Sequence, residues 1–163
     1  MERDSVDRMV DGWREVRPDL DVAPAGVVSR LARVRDHQDY AIESLLSELG
    51  LSGPTFAVLV SLARLDRPDG VPVGELLDAW SRPPSTLGTR VERLASQGIV
   101  EHLGGGRYRL TDQGRDLFER AAPAHLRNAD RLLAPLSAEE REQLAGLLRK
   151  LLARYEAEDD GRP

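Results

Sequence analysis

The chain has 163 residues, of which 40% are hydrophobic and 31% are charged, and its formal net charge is −5 at pH 7. These values predict a soluble protein of one domain, or of one domain with helical extensions, and no apolar run reaches the ~20 residues that span a bilayer. The charged N-terminus lacks the apolar core of a signal peptide, so we expect a cytoplasmic protein without a membrane partner; the absence of cysteine excludes disulfides and thiolate metal sites.

Positive charge is concentrated in one part of the chain. Residues 82–115 contain six arginines and three acidic residues, a balance of +3 in a chain whose total is −5. A localised basic patch on an acidic protein indicates an anionic partner. Chance clustering of surface arginines is the alternative on charge alone.

The first fifty residues predict two helices. Apolar residues recur at helical spacing over residues 5–16 and again over residues 25–49, after which Gly50 supplies a common helix end. The middle of the second helix, RDHQD at 35–39, is polar. This polar segment is either a solvated face or the polar wall of a pocket.

Two further helices are predicted before the basic segment. The third covers about 54–65, with Ser52 as its cap and Pro54 in its first turn, where proline is tolerated. Residues 67–72 are predicted as a loop. A short fourth helix follows at about 74–80.

The stretch SRPPSTLGTRVERL, residues 81–94, opens a helix predicted at about 84–97. Its two leading prolines fit a helix start, because that position needs no intrahelical donor. Leu87, Val91 and Leu94 form one apolar stripe. The side chains off this stripe carry hydroxyl or guanidinium groups; they are Ser85, Thr86, Thr89, Arg90 and Arg93.

A β-hairpin is predicted at 99–110, where two short alternating runs flank three glycines. Because side chains alternate along a strand, Tyr108 and Leu110 should pack on the core and leave Arg107 and Arg109 outward. In so short a hairpin, we expect Arg107, next to the glycine tip, to contact mainly the charged backbone of the anionic partner.

The rest of the chain predicts two helices and a tail. Thr111 caps a helix that continues to about Leu133. Ser137 and Glu140 match the S-x-x-E capping box of the last helix, which repeats leucine at helical spacing up to Tyr155. The final acidic residues are expected to be disordered.

This order of elements predicts a mainly α protein with a small β-hairpin wing, that is, a winged helix-turn-helix core plus helical dimerisation elements. The polar-faced helix would lie in the major groove of DNA, where arginine reads guanine edges and hydroxyls reach bases or phosphates. The hairpin would reach the neighbouring minor groove or backbone. The predicted DNA-binding residues are Arg82, Ser85, Thr86, Thr89, Arg90, Arg93, Arg107 and Arg109.

The apolar stripe of Leu144–Tyr155 and the apolar positions of the first two helices exceed what one small core needs, so we expect a homodimer.

Four regions follow from these predictions. The regions are the N-terminal helices for dimerisation and a ligand pocket (1–50), the DNA-binding core (51–115), the C-terminal dimerisation helices (116–157) and a disordered acidic tail (158–163).

Several segments resemble the MarR family of winged helix-turn-helix transcriptional regulators, and together they cover nearly the whole chain. LSGPTFAVLVSLAR resembles the helix that leads into the family's DNA-binding core, and GELLDAW with STLGTRVERLASQGIVEHL resembles its helix-turn-helix and first wing strand. YRLTDQGRDLFERA is similar to its second wing strand and following helix. DGWREVRPDLDVAPAGVVSRLARV resembles a subset with an extra first helix, which includes urate-responsive regulators.

The resemblance implies a dimer that binds a palindromic operator in double-stranded DNA and often releases it when a small anionic or aromatic ligand binds. The sequence departs from the family pattern in its short GGG wing tip and in Pro83 and Pro84 at the start of the recognition helix.

A ligand pocket is expected where the first helix, the long second helix and the core meet. Trp13 resembles in position a ligand-contacting tryptophan of the urate-responsive subset, and core packing is its alternative role. An anionic aromatic ligand would suit arginine beside indole. The candidate lining residues are Trp13, Arg17, Arg35, His37 and Tyr40.

No catalytic, metal or cofactor site is predicted. His37, His102 and His125 are far apart and lack carboxylates at ligand spacing, and no serine lies in a strand-to-helix elbow. We therefore expect a protein that is not an enzyme and needs no cofactor, namely a DNA-binding repressor released by a ligand. The alternative is a winged-helix protein-interaction module that has lost DNA binding.

Overall fold

The computed structural model describes residues 2–79 and 86–160, with side chains described through residue 157. Its helices and strands largely follow the predicted order. In chain order they are α1 (Ser5–Val16), α2 (Ala23–Ser47), α3 (Gly53–Leu65), β1 (Val71–Pro72), α4 (Val73–Asp78), α5 (Leu87–Ser96), β2 (Val100–His102), β3 (Arg107–Leu110), α6 (Asp112–Leu132) and α7 (Ala138–Asp160).

The chain forms two compact units, residues 1–125 and residues 126–163. The mainly α architecture with a small antiparallel sheet confirms the predicted fold class. None of the helices in the described residues combines the length and the apolar content needed to cross a bilayer.

The core of the first unit is built around α3 and α5. Ser52 caps α3 as predicted, because its hydroxyl accepts from the backbone N–H of Thr55 while the Thr55 hydroxyl accepts from the N–H of Ser52 at 2.8 Å. The predicted stripe of α5 is buried, which fixes the orientation of its polar face. The core side chains from these two helices are Phe56, Val58, Leu59, Leu62, Leu87, Val91 and Leu94.

The sheet has three strands in the order β1-β3-β2, where the sequence predicts only the hairpin β2–β3. Residues 71–72, predicted as part of a loop, form the edge strand β1, with Val71 opposite Tyr108 and Pro72 opposite Arg107. A two-residue strand shows no alternation that a sequence pattern can reveal, and proline is tolerated on an edge.

Helix α1 packs on α2 through a small apolar cluster of its own, Val6, Val10 and Val22. Ion pairs reinforce this contact, because Arg30 of α2 donates to Asp4 at 2.9 Å and to Asp7 at 2.7 Å. Within the first unit, α1 is therefore held on α2 by both apolar contacts and charge.

The second unit contains α7, whose capping box is formed as predicted. The backbone N–H of Ser137 donates to the Glu140 carboxylate at 2.8 Å, and the N–H of Glu140 donates to the Ser137 hydroxyl at 3.2 Å. The helix extends to Asp160, so residues 158–160 are helical where the sequence predicts a disordered tail. Glu156, Ala157 and Glu158 are good helix formers and continue the helix beyond residue 157. Residues 161–163 lie outside the described part.

Candidate nucleic-acid interface and ligand cavity

The exposed face of α5 carries the predicted recognition residues. Thr89 and Arg93 are exposed, Arg90 is half-buried, and Thr86 directly precedes the helix. Neither arginine forms an ion pair with any residue in the described ranges 2–79 and 86–157. Two guanidinium groups are thus available to an anion on one helix face. The predicted Arg82, Pro83, Pro84 and Ser85 lie outside the described residues.

The carboxylate of Glu92, also on α5, interacts with the wing. Burial raises the pKa of the Tyr108 hydroxyl, and the negative charge of Glu92 and a hydrogen bond to its carboxylate raise this pKa further. The Tyr108 ring also lies against His102, with the ring centroids 4.9 Å apart. Together with the direct contact between β2 and α5, the Glu92 interaction places the hairpin beside α5.

The hairpin has the predicted alternation, with Leu110 buried and Tyr108 packed against the core. Its arginines lie on the other face, but both are paired, which the sequence does not predict. Arg107 forms an ion pair with Asp69, and Arg109 forms one with Glu101 at 2.6 Å.

Backbone carbonyls of the α3–β1 loop, residues 66–70, complete the surroundings of these two guanidinium groups. Arg107 donates to the carbonyl of Asp69 at 2.7 Å and to that of Gly70 at 3.0 Å. Arg109 donates to the carbonyl of Pro68 at 2.7 Å. Both wing arginines therefore fasten the hairpin to this loop.

A cavity of about 400 Å³ lies within the first unit, away from the wing. Arg35 and Asp39 of α2, Phe56 of α3 and His125 of α6 contribute to its lining. The ring of Phe56 lies 5.0 Å from that of His125, centroid to centroid. Among the described side chains, the buried Nδ1 of His125 has no hydrogen-bond partner. The cavity thus offers an apolar wall and an ion pair, and the imidazole of His125 belongs to its wall.

Of the five predicted ligand residues, only Arg35 lines this cavity. Trp13 is 49% exposed on α1, and Arg17 pairs with Asp19 at 2.6 Å. His37 is exposed, and Tyr40 is 80% exposed. The five residues therefore do not share this cavity.

Phe56 and His125 line the cavity although the sequence does not predict either as a ligand residue. Phe56 occupies an ordinary apolar position of α3, and an isolated histidine in a helix carries no pattern of its own. Only the packing of α3 against α6 shows that they form one wall.

The helix pair leading to α5, the exposed basic face of α5 and the adjacent three-stranded wing define a winged helix-turn-helix DNA-binding protein. The chain is 34% identical over 149 residues to the HTH-type transcriptional regulator PecS of Dickeya dadantii (strain 3937), an alignment that covers 88% of this chain and 90% of PecS. It belongs to the MarR family of transcriptional regulators. No protein-family model matches the chain.

Solved structures agree with this family. A MarR family transcriptional regulator from Silicibacter pomeroyi is 28% identical and covers 81% of this chain and 94% of its own, with a TM-score of 0.67. The Mycobacterium tuberculosis MarR family protein Rv2887, solved in complex with DNA, is 29% identical over 76% of this chain and 94% of its own, with a TM-score of 0.61. The same protein in complex with salicylic acid gives a TM-score of 0.55.

Proposed function

We propose that this MarR-family regulator is a homodimeric repressor that binds a palindromic operator and releases it when a small aromatic ligand occupies the α2–α3–α6 cavity. The observation that carries the proposal is the exposed face of α5, where Arg90 and Arg93 stand without ion pairs among the described residues. Thr89 adds a hydroxyl to the same exposed surface. Such side chains suit base edges and phosphates in a major groove.

The apolar faces of the N-terminal helices support a homodimer. In α2, the side chains of Val27, Val28 and Val34 are all more than half exposed. Apolar side chains clustered at the surface usually indicate a protein partner. A second copy of the chain would cover them with an identical, self-complementary surface.

Helix α7 supports the same interpretation by itself. None of its described side chains, up to residue 157, is buried, yet Leu147 is 64% and Leu152 is 55% exposed. A leucine stripe with no fully buried side chain in its own chain gains more stability when another helix covers it. The dimer supplies that helix.

The chemistry of the cavity favours an aromatic ligand with a hydrogen-bonding group. Phe56 provides a ring face, and His125 adds an imidazole to the same wall, whose buried Nδ1 has no partner among the described side chains. Arg35 already donates to Asp39 at 2.7 Å, so an anionic ligand would have to share or replace that carboxylate. The complex of the Mycobacterium relative with salicylic acid supports a small aromatic acid as the first probe.

Its place among transcriptional regulators also supports a cytoplasmic protein without catalytic activity or a cofactor, because a regulator must reach its operator and needs only binding energy to act. No further partner is required by this proposal.

The proposal is tested by selecting duplexes from a random pool with the full-length protein and measuring their binding by fluorescence anisotropy. We expect enrichment of inverted repeats and weakening of their binding by added salicylate. Failure to enrich any sequence would overturn the repressor and favour the protein-interaction module. Enrichment without a response to salicylate or related aromatic acids would support DNA binding and overturn the proposal that an aromatic ligand releases the operator.

A further inference from the structure

The two arginine pairs of the DNA-binding core differ in electrostatic state. Arg90 and Arg93 on α5 have no ion pair with any described residue, whereas Arg107 and Arg109 on β3 each have a carboxylate partner. Each wing guanidinium also donates to backbone carbonyls of the α3–β1 loop. The wing therefore presents little net positive charge despite its two arginines.

The backbone conformation at Gly70 restricts the loop that contains Asp69. Gly70 has φ of +74°, and a Cβ there would lie 2.8 Å from Leu103 and 3.2 Å from the carbonyl of Tyr108. Only glycine suits this left-handed and crowded position. Beyond it, β1 pairs with β3 and places Val71 opposite Tyr108. The Asp69 carboxylate is thus kept next to Arg107 by the sheet itself.

Glu101 is fixed in a similar way. It lies opposite Arg109 across the β2–β3 ladder, and both Nε and Nη2 of Arg109 donate to its Oε1, at 2.7 Å and 2.6 Å. Cross-strand neighbours of opposite charge stabilise the hairpin. The same contact neutralises the guanidinium.

The hairpin lies beside α5, because β2 contacts this helix directly and Tyr108 of β3 packs against the same core as the buried face of α5. A duplex bound along α5 therefore has the wing as its neighbour. A guanidinium that is free would bind phosphate and release counterions, which strengthens binding to every sequence alike. A guanidinium that stays with its carboxylate adds little of this affinity.

We propose that Asp69 and Glu101 are specificity-determining residues, which neutralise the wing arginines so that DNA binding depends on the sequence contacts of α5 and not on the hairpin. This role goes beyond the repressor proposed above, and it requires only that the protein bind double-stranded DNA. The carboxylates act through Arg107 and Arg109 and do not themselves contact a base.

The test compares wild type with Asp69→Asn, Glu101→Gln and the double variant on two probes, a random-sequence duplex and a duplex enriched by the protein. Affinity is measured over a series of salt concentrations. We expect tighter binding of the random duplex and a salt slope steeper by about one unit for each freed arginine. The affinity ratio between the enriched and the random duplex should fall.

Three controls separate charge from structure. Asp69→Glu retains the charge and should behave as wild type. Asp19→Asn removes a carboxylate of the same exposed type, the partner of Arg17 outside the core, and should leave the slope unchanged. In the Asp69→Asn background, Arg107→Ala should abolish the gain in affinity for the random duplex. Thermal melts verify that each variant is folded.

A weaker random-duplex complex in Asp69→Asn would overturn the proposal, since it would show that the carboxylate orients Arg107 for phosphate. An unchanged slope in both single variants would overturn it as well, because the wing would then lie off the DNA. Failure of the wild type to bind either duplex would instead overturn the proposed function. The wild-type measurement shows this outcome by itself, without any variant.

Discussion

Gly114 packs against the carbonyl of Ile99, so closely that a Cβ on Gly114 would lie 2.1 Å from that oxygen. The same carbonyl accepts from the backbone N–H of Thr111 at 3.1 Å, and the N–H of Gly114 donates to the Thr111 hydroxyl at 3.1 Å. The start of α6 is thereby held on the end of α5 and the beginning of the wing. Only glycine fits at position 114, because the Ile99 carbonyl occupies the space that a Cβ would need.

Gly114→Ala should therefore destabilise the protein, because backbone must move to admit the methyl group. We expect a loss of roughly 1–3 kcal/mol in the free energy of unfolding, measured by urea denaturation. The matched control is Gly12→Ala in α1, where nothing lies within 4 Å of the new Cβ. That change should be neutral or stabilise by up to ~1 kcal/mol, and equal losses in both variants would contradict the steric account.

Arg90→Ala should reduce operator binding and relax its specificity. If Arg90 contacts a guanine edge from α5, its loss costs on the order of 1–3 kcal/mol at the cognate base pair. Affinities for the enriched duplex and for single-base variants measure this directly. Arg17→Ala, a guanidinium lost outside the core, serves as control. A uniform loss of affinity on all duplexes would assign Arg90 to a phosphate instead.

Leu151→Glu should dissociate the homodimer, since Leu151 is 47% exposed on the leucine stripe of α7. A two-fold dimer would bury one copy of this leucine from each protomer. Burying a leucine is worth about 1.5–3 kcal/mol, and a glutamate would bring an unpaired charge into the interface. Ala153→Glu places the same charge on the opposite side of the helix and should leave the dimer intact. Sedimentation at micromolar protein distinguishes them, and a monomeric wild type would refute the interface.

His125→Leu should abolish stabilisation by salicylate, because it keeps the apolar wall of the cavity and removes the hydrogen-bonding imidazole. Trp13→Ala tests the pocket predicted from sequence, since Trp13 does not line the cavity. Thermal melts with and without salicylate compare the two variants. If Trp13→Ala loses the response and His125→Leu retains it, the ligand binds at the N-terminal helix and not in this cavity.

Acid should loosen α1 from α2 through Asp4. A hydrogen bond from the backbone N–H of Asp7 and, next, one from the Arg30 guanidinium hold the pKa of Asp4 below its ordinary value of 3.8. Because this pKa is lower in the folded state, Asp4 stabilises the docked helix above the ordinary value, and the stabilisation is lost as the pH falls through the lowered pKa.

Trp13 fluorescence in a Trp80→Phe background reports this change, since the chain has 2 tryptophans. Asp4→Asn keeps a side chain that caps helices well but removes the charge. The acid transition of the Trp13 signal should therefore be smaller in Asp4→Asn than in its parent. Identical transitions would assign the acid response to another carboxylate, such as Asp11, whose pKa the hydrogen bond from Arg3 lowers.

Local patterns in the sequence determined the helices, their caps and the buried face of α5. Ser52 and Ser137 cap helices through residues three positions away, and the spacing of Leu87, Val91 and Leu94 alone decides which side of α5 is buried. These features involve neighbours within one or two helical turns. The sequence therefore contains all the information that they need.

Only the tertiary structure decided the state of the wing and the position of the cavity. Arg107 meets Asp69 across 38 residues of chain, and Phe56 meets His125 through the packing of α3 with α6. An arginine in a strand has the same pattern whether its partner is a phosphate or a carboxylate from a distant loop. Which one it meets depends on how β1 pairs with β3, and no spacing along the chain encodes that distance.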